Sequence, residues 1–246
     1  MTAWKAWLAN SLVHVRRDEA GLLYPQDGVL FYEAVYGYSA ALFCSMLSRF
    51  GLAHHAKAYL SSLLRMIAPD GLFTLNFGLP DHGALLVAIS DYYLITRDDE
   101  WFAEAAPTVE KMVDWVISTR QAALANQTQG SKTHGLIFYR PYCDHADPEF
   151  SYLSDTYLVL GLEAAARALQ ASANKSSAER VWQAAASYRR DVERSMVASV
   201  YTARGLRTVP IFPQTVELIK AANDTAKNYC RSRTQAHIRS NDAVPC

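Results

Sequence analysis

Apolar residues recur along this chain at three- and four-residue spacings in successive runs of helical length, and the runs are of two kinds. Those at Tyr32 to Phe50, Asp81 to Thr96 and Ser151 to Leu169 are apolar nearly all round, Ala84-Leu85-Leu86-Val87-Ala88-Ile89 being the plainest example. Those at Ala53 to Ile67, Glu100 to Leu124 and Ser177 to Ser199 carry a single apolar stripe, with Lys111, Asp114 and Arg120, or Arg189, Arg190 and Glu193, on the opposite side. A helix without a polar face must be covered by neighbours, whereas a striped one lies at the surface with its stripe inward. The alternation therefore predicts inner helices, each followed by an outer partner.

A short phrase precedes each inner helix. It reads Gly21-Leu22-Leu23, then Asp70-Gly71-Leu72-Phe73, then Gly135-Leu136-Ile137, and a weaker Gly205-Leu206 leads through Pro210 and Pro213 into Thr215 to Ala222. Recurrence at roughly 50 to 70 residues is the mark of helical-hairpin repeats. The end signals agree. Gly51 stands where a left-handed residue would close the first inner helix, Asp98 or Asp99 can cap the helix of Trp101, and Ser176 with Glu179 makes a capping box. Pro107 interrupts the start of the helix that contains it.

Links from inner to outer helix are short, and the returns, at 68–80 and 125–150, are long. All long loops then emerge on one face, at the start of the inner helices, and loops held by a rigid scaffold are where binding and catalysis concentrate. The expected fold is all-α, with about three to four helical hairpins over residues 1–222. Beyond Ala222 the segment that includes Asn228-Tyr229-Cys230-Arg231-Ser232-Arg233 loses the apolar period and reads as a polar tail over 223–246.

Composition narrows the function. Lys plus Arg and Asp plus Glu number 24 each, so no net field attracts nucleic acid, and no basic run makes a local one. The longest apolar stretches, such as Ala40 to Leu47, fall far short of the roughly 20 residues that cross a bilayer. Met1 to Arg17, with Trp4, Trp7, Leu8, Leu12 and Val13 around Lys5, reads as an amphipathic helix and not as a signal peptide, which leaves the cytoplasm as the default location.

Cys44, Cys143, Cys230 and Cys246 are too far apart to indicate a zinc ribbon or a disulfide framework, and Cys44, in an apolar run, is expected to be buried. His54 and His55 are adjacent and would point to different sides of a helix, making poor metal co-ligands. Asn126, Asn174 and Asn223 head Asn-x-Ser/Thr sequons, which matter only in a secreted eukaryotic chain. No phosphate loop, nucleophile elbow or His-Glu-x-x-His occurs, and no cofactor is expected.

Three segments carry a resemblance to a known family: Tyr32-Glu33-Ala34-Val35-Tyr36-Gly37-Tyr38 opening an inner helix, Asp81-His82-Gly83 followed by Tyr92, Tyr93 and Thr96-Arg97-Asp98, and Ser151-Tyr152-Leu153-Ser154-Asp155 with Leu162-Glu163-Ala164-Ala165. Together they resemble the six-hairpin glycosidases, which include glucoamylases, trehalases and α-L-rhamnosidases. The resemblance covers most of residues 1–200 and implies a toroid of paired inner and outer helices, the (α/α)6 ring, with a carbohydrate site at its centre. Six hairpins require about twelve helices and well over 300 residues. The expectation is therefore an incomplete toroid: a fragment of a larger enzyme, a prematurely ended reading frame, or a subunit that completes its ring by self-association through the open end.

Glycoside hydrolysis needs two carboxyl groups, one to protonate the leaving oxygen and one to activate water or attack carbon, at about 6.5 to 9.5 Å apart in inverting enzymes. Acids on the loop face are Asp27, Glu33, Asp81, Asp144, Asp147, Glu149 and Asp155. Glu33, among Phe31, Tyr32, Tyr36 and Tyr38, has an aromatic setting that could keep a carboxyl neutral for general-acid work, or is simply a charge favoured in a first helical turn. The second carboxylate is sought in Asp144, Asp147 or Asp155, or belongs to hairpins that the incomplete ring lacks; Asp155, one turn into its helix, could face a pocket or be buried and hydrogen-bonded.

Substrate contacts are expected from Tyr32, Tyr36, Asp81 and His82, where Asp81 could instead cap its helix and His82 be a satisfied loop histidine. The loop Tyr139 to Phe150 supplies Arg140, Tyr142, His145, Asp147 and Glu149, a mixture of rings, acids and bases suited to sugar faces and hydroxyls. The spacing of Asp144, His145 and Asp147 matches no strict cation loop, so no metal is expected. Asp98-Asp99-Glu100 is similar to the acidic motif of terpene-forming enzymes, but its place at the short-loop end fits helix capping. The reading from another class is a noncatalytic helical-repeat scaffold that binds protein partners.

Overall fold

The computed structural model describes residues 3–28, 33–145, 147–203 and 205–215. The chain runs through α1 (Ala3–Val13), β1 (Val15–Arg17), β2 (Leu23–Pro25), α2 (Gly37–Arg49), α3 (Ala53–Leu64), α4 (Pro80–Thr96) and α5 (Asp99–Asn126). It continues through β3 (Phe138–Tyr139), β4 (Glu149–Phe150), α6 (Tyr152–Ala171), α7 (Lys175–Ser199), β5 (Tyr201–Ala203) and β6 (Leu206–Thr208). Helix dominates, and among the described residues each strand pairs with its sequence neighbour in a short antiparallel ribbon. Among the described residues no helix is long and apolar enough to cross a membrane.

Three inner helices lie side by side in chain order, with α4 in the middle. Gly37, the first residue of α2, sits where an added Cβ would come within 2.8 Å of the Asp81 carboxyl carbon near the start of α4. Arg49, the last residue of α2, pairs with Asp91 far along α4 at 2.8 Å. Start therefore meets start, and α2 and α4 run the same way. Between α4 and α6 the backbones nearly touch. A Cβ on Gly83 would stand 2.1 Å from the Tyr157 carbonyl oxygen, and one on Gly161 would stand 2.9 Å from that of Gly83. Only glycine permits such an approach.

The outer helices α3, α5 and α7 follow their inner partners through links 50–52, 97–98 and 172–174, as the pattern predicts. The core fills the space between the two layers, and its largest fully buried side chains, Tyr59, Tyr93, Tyr188, Phe73 and Phe102, come from inner helices, outer helices and a returning loop alike. The glycine of every recurrent phrase adopts a left-handed backbone: Gly21 at φ +83, Gly71 at +97, Gly135 at +85 and Gly205 at +79. In two of the repeats the following residues, Phe73 and Leu136 with Ile137, are turned into the core. The phrase is thus a turn-and-plug device that returns the chain to the next inner helix.

Several local expectations need correction. The first inner helix begins at Gly37 and not at Tyr32, because Tyr36 is extended (φ −101, ψ 120) and the Gly37 amide is given to the Leu75 carbonyl at 2.7 Å. Asn174, not Ser176, caps α7, its side-chain oxygen accepting from the Ser177 amide, so the capping box does not form. Pro107 lies inside α5, which continues through it. Asp98 does cap α5, accepting from Trp101 N at 3.2 Å, and Gly51 is left-handed at φ +79. The inner helices are not covered on every side either. A groove of about 560 Å³ runs along α2, α4 and α6, and Leu42 and Leu160 stand 42% and 39% exposed on its walls. The expected tail 223–246, and all but Thr215 of the expected helix Thr215 to Ala222, lie outside the described residues.

Candidate functional site

Both long returns, 65–79 and 127–151, end at the starts of inner helices, on the face the sequence singles out. They touch each other. The Leu79 amide donates to the Arg140 carbonyl at 3.1 Å, and a Cβ on Gly78 would stand 2.9 Å from that same oxygen. Across this face runs a chain of half-buried rings. Tyr157 of α6 packs edge-on against Tyr38 of α2 at 5.0 Å, with their hydroxyls 2.7 Å apart. Tyr38 stacks on Phe77 at 4.9 Å, and Phe77 leans on Tyr142 at 6.4 Å. Tyr142 stacks on His145 at 5.9 Å, and His145 on Phe212 at 5.3 Å. Six rings from five segments form one ladder. Stacking occupies much of their faces, so the ladder offers ring edges, its end faces and the phenol hydroxyls. Burial and the Tyr157 hydroxyl push the Tyr38 phenol well above its ordinary pKa, so it stays a neutral donor or acceptor.

Beside the ladder lie the polar residues of the 139–150 loop. Asp144 and Asp147 are exposed, Arg140 and Glu149 half-buried, and His145 Nε2 stands 3.9 Å from Glu149 Oε2. β3 and β4 fix this loop, pairing Tyr139 with Glu149. Glu33 is exposed in the segment before α2 and not in a first helical turn; its carbonyl accepts from the Gln26 amide group. Tyr36 is half-buried immediately before α2, and Tyr32 lies outside the described residues. Among the described residues no group of three His, Cys, Asp or Glu side chains is arranged to hold a metal ion, the Asp144, His145 and Asp147 set included.

Three residues proposed for substrate or catalysis are instead built into the scaffold. Asp81 is 0% exposed. Its Oδ2 accepts from the Leu75 amide at 2.6 Å and the Gly78 amide at 3.2 Å, so it anchors the preceding loop and does not cap α4, whose cap position is Leu79. Burial pushes its carboxyl up to about 7, against the lowering by these amides and those of Tyr38 and Phe77. Asp155, also 0% exposed, does the same one repeat later: its Oδ1 accepts from the Ile137 amide at 3.0 Å and from the Tyr188 hydroxyl. Burial again raises the carboxyl to about 7, opposed by Tyr188, Ile137 and Arg120. Of its two open readings, the buried hydrogen-bonding one holds.

His82 is 0% exposed, with Nδ1 accepting from the Phe73 amide at 3.1 Å and Nε2 therefore carrying the proton to the Met112 carbonyl at 3.1 Å. Burial lowers its pKa to about 4, so it is neutral and fully satisfied, not a sugar ligand. Each of these side chains ties backbone to backbone.

The sequence pattern does not single out Phe77, Tyr157 or Phe212, and it brings in Tyr38 only within the family resemblance and as an aromatic neighbour of Glu33. They are lone rings in loops or on helices, and nothing local marks them; only the folded juxtaposition makes a site. No family model and no curated protein matches this chain.

Proposed function

We propose that this chain is a carbohydrate-active protein of the six-hairpin glycosidase type, binding an oligosaccharide or glycoside on the loop face. The observation that carries the reading is the ring ladder from Tyr157 to Phe212, set beside Arg140, Asp144, Asp147 and Glu149. Sugars present apolar C–H faces and many hydroxyls, and a surface of ring edges, phenols, carboxylates and a guanidinium meets both needs. Three hairpins with parallel inner helices support the view of an arc of an (α/α) ring. In this reading Glu33 and either Asp144 or Asp147 are the acids for hydrolysis, since burial takes Asp155 out of reach of substrate. A helical scaffold for protein partners is the second reading, favoured by the groove that exposes Leu42 and Leu160.

The test is an oligosaccharide panel scored for thermal shift and for hydrolysis, on the native chain and on Phe77→Ala, Tyr142→Ala and Glu33→Gln. Losing one ring is expected to weaken sugar binding by about tenfold, the equivalent of about 1.4 kcal/mol. Glu33→Gln should abolish turnover while leaving binding. A chain that responds to no sugar in the panel would sink the carbohydrate reading and leave the scaffold.

A further inference from the structure

Asp81 and Asp155 occupy equivalent places in successive repeats. Each sits in the first turn of an inner helix, is wholly buried, and accepts from the backbone of the long loop before it. The amides held by Asp81, Leu75 and Gly78, bracket Phe77, and the amide held by Asp155, Ile137, immediately precedes the ribbon that leads to Tyr142. In each carboxyl one oxygen takes all these bonds, while the other, Asp81 Oδ1 or Asp155 Oδ2, makes none. Asp27, in the loop before α2, also leaves one oxygen unbonded, but its Oδ2 accepts from a helix side chain, Ser39 Oγ at 2.8 Å, and not from loop backbone.

We propose that Asp81 and Asp155 are a pH-responsive clamp on the two loops that build the ring ladder, holding them while protonated and loosening them on ionisation. A proton on the unbonded oxygen leaves the accepting oxygen, and so the clamp, intact. Loss of that proton to water leaves a buried, uncompensated charge whose second oxygen can be satisfied only if water enters beneath the loop. The groups facing Asp81 are the backbone amides of Leu75, Gly78, Tyr38 and Phe77 and, next to it on α4, His82, which is neutral over most of the range concerned. Those facing Asp155 are Tyr188 from α7 and Arg120 from α5, whose charge Asp191 offsets. Because the loops touch at Gly78 and Arg140, release of one weakens the hold on the other. The clamp regulates the saccharide face and in that sense rests on the function proposed above, but its test needs no sugar.

The sign is fixed by the direction of the shifts. A carboxyl raised from 3.8 to about 7 by folding binds its proton more tightly in the closed state, so closure is favoured at low pH and lost as pH rises from about 4 to about 7. Amide hydrogen exchange of Leu75, Gly78 and Ile137 in the full chain, corrected for intrinsic exchange, should lose protection by about tenfold per pH unit across that window and then level. Asp81→Asn should flatten the dependence at Leu75 and Gly78. If that variant does not fold, carbon NMR of the native Asp81 and Asp155 carboxyls gives the answer directly, with both expected to titrate near neutrality. Protection independent of pH, or carboxyls titrating at the ordinary value, overturns the clamp whatever the sugar panel reports.

Discussion

Gly83→Ala is expected to destabilise the chain by about 3 kcal/mol or more, the largest effect of any single methyl added to the inner layer. The added carbon would lie 2.1 Å from the Tyr157 carbonyl oxygen and 2.3 Å from its carbonyl carbon. Both are backbone atoms of α6, so no side chain can rotate away, and relief requires α4 and α6 to separate. Separation would thin the packing of Leu85, Leu86, Leu158 and Leu162, all at most 1% exposed. Gly130→Ala is the control: it has open space around it and suffers only the strain of φ +81, on the order of 1 kcal/mol. Urea unfolding of both variants measures the difference, and equal midpoints would refute the tight α4–α6 contact.

His82→Leu should cost about 1 to 3 kcal/mol at pH 7.5, because it leaves the buried Phe73 amide without a partner inside the protein and removes the second bond to the Met112 carbonyl, which keeps its place in α5. Its pH dependence has a definite sign. Folding lowers the His82 pKa from 6.5 to about 4, so its contribution is complete above about 6.5 and is lost as pH falls toward 4. The penalty of the substitution should accordingly shrink by about 1.4 kcal/mol per pH unit below 6.5. Asp81 and Asp155 run the other way over much of the same range, so native stability alone would hide both trends. Comparing variant with native chain at pH 7.5 and pH 5 isolates the histidine, and an unchanged penalty would show that His82 is not held neutral.

The helices were legible because their cause is local. Apolar period, Asp98 as a cap and Gly51 as a stop act within a turn of chain, and the ranges they predict for α3 to α7 are close to those observed. The inner and outer assignment was legible for α4, whose residues from Pro80 to Leu86 are all buried, and less so for α2 and α6, whose open side carries Leu42 and Leu160. What escaped the sequence depends on partners far away in the chain. The start of α2 is moved to Gly37 by Leu75, and Asp155 is drawn inward by Tyr188 and Ile137. An acid in a first turn satisfies the helix dipole equally well facing solvent or core, so its position alone does not decide between those roles. The ladder is a further case: Tyr38 and Tyr157 stand 119 residues apart, and no window of sequence contains both.

The side-by-side order of α2, α4 and α6 also bears on how such a chain can grow. When each hairpin rests chiefly on the one before it, cohesion is a sum over successive interfaces, as in a stack of like units. Duplicating a hairpin adds one more interface of a kind already present, carried by the same left-handed glycine and plug. Lineages built this way can lengthen or shorten by whole hairpins without a new core being invented at each step.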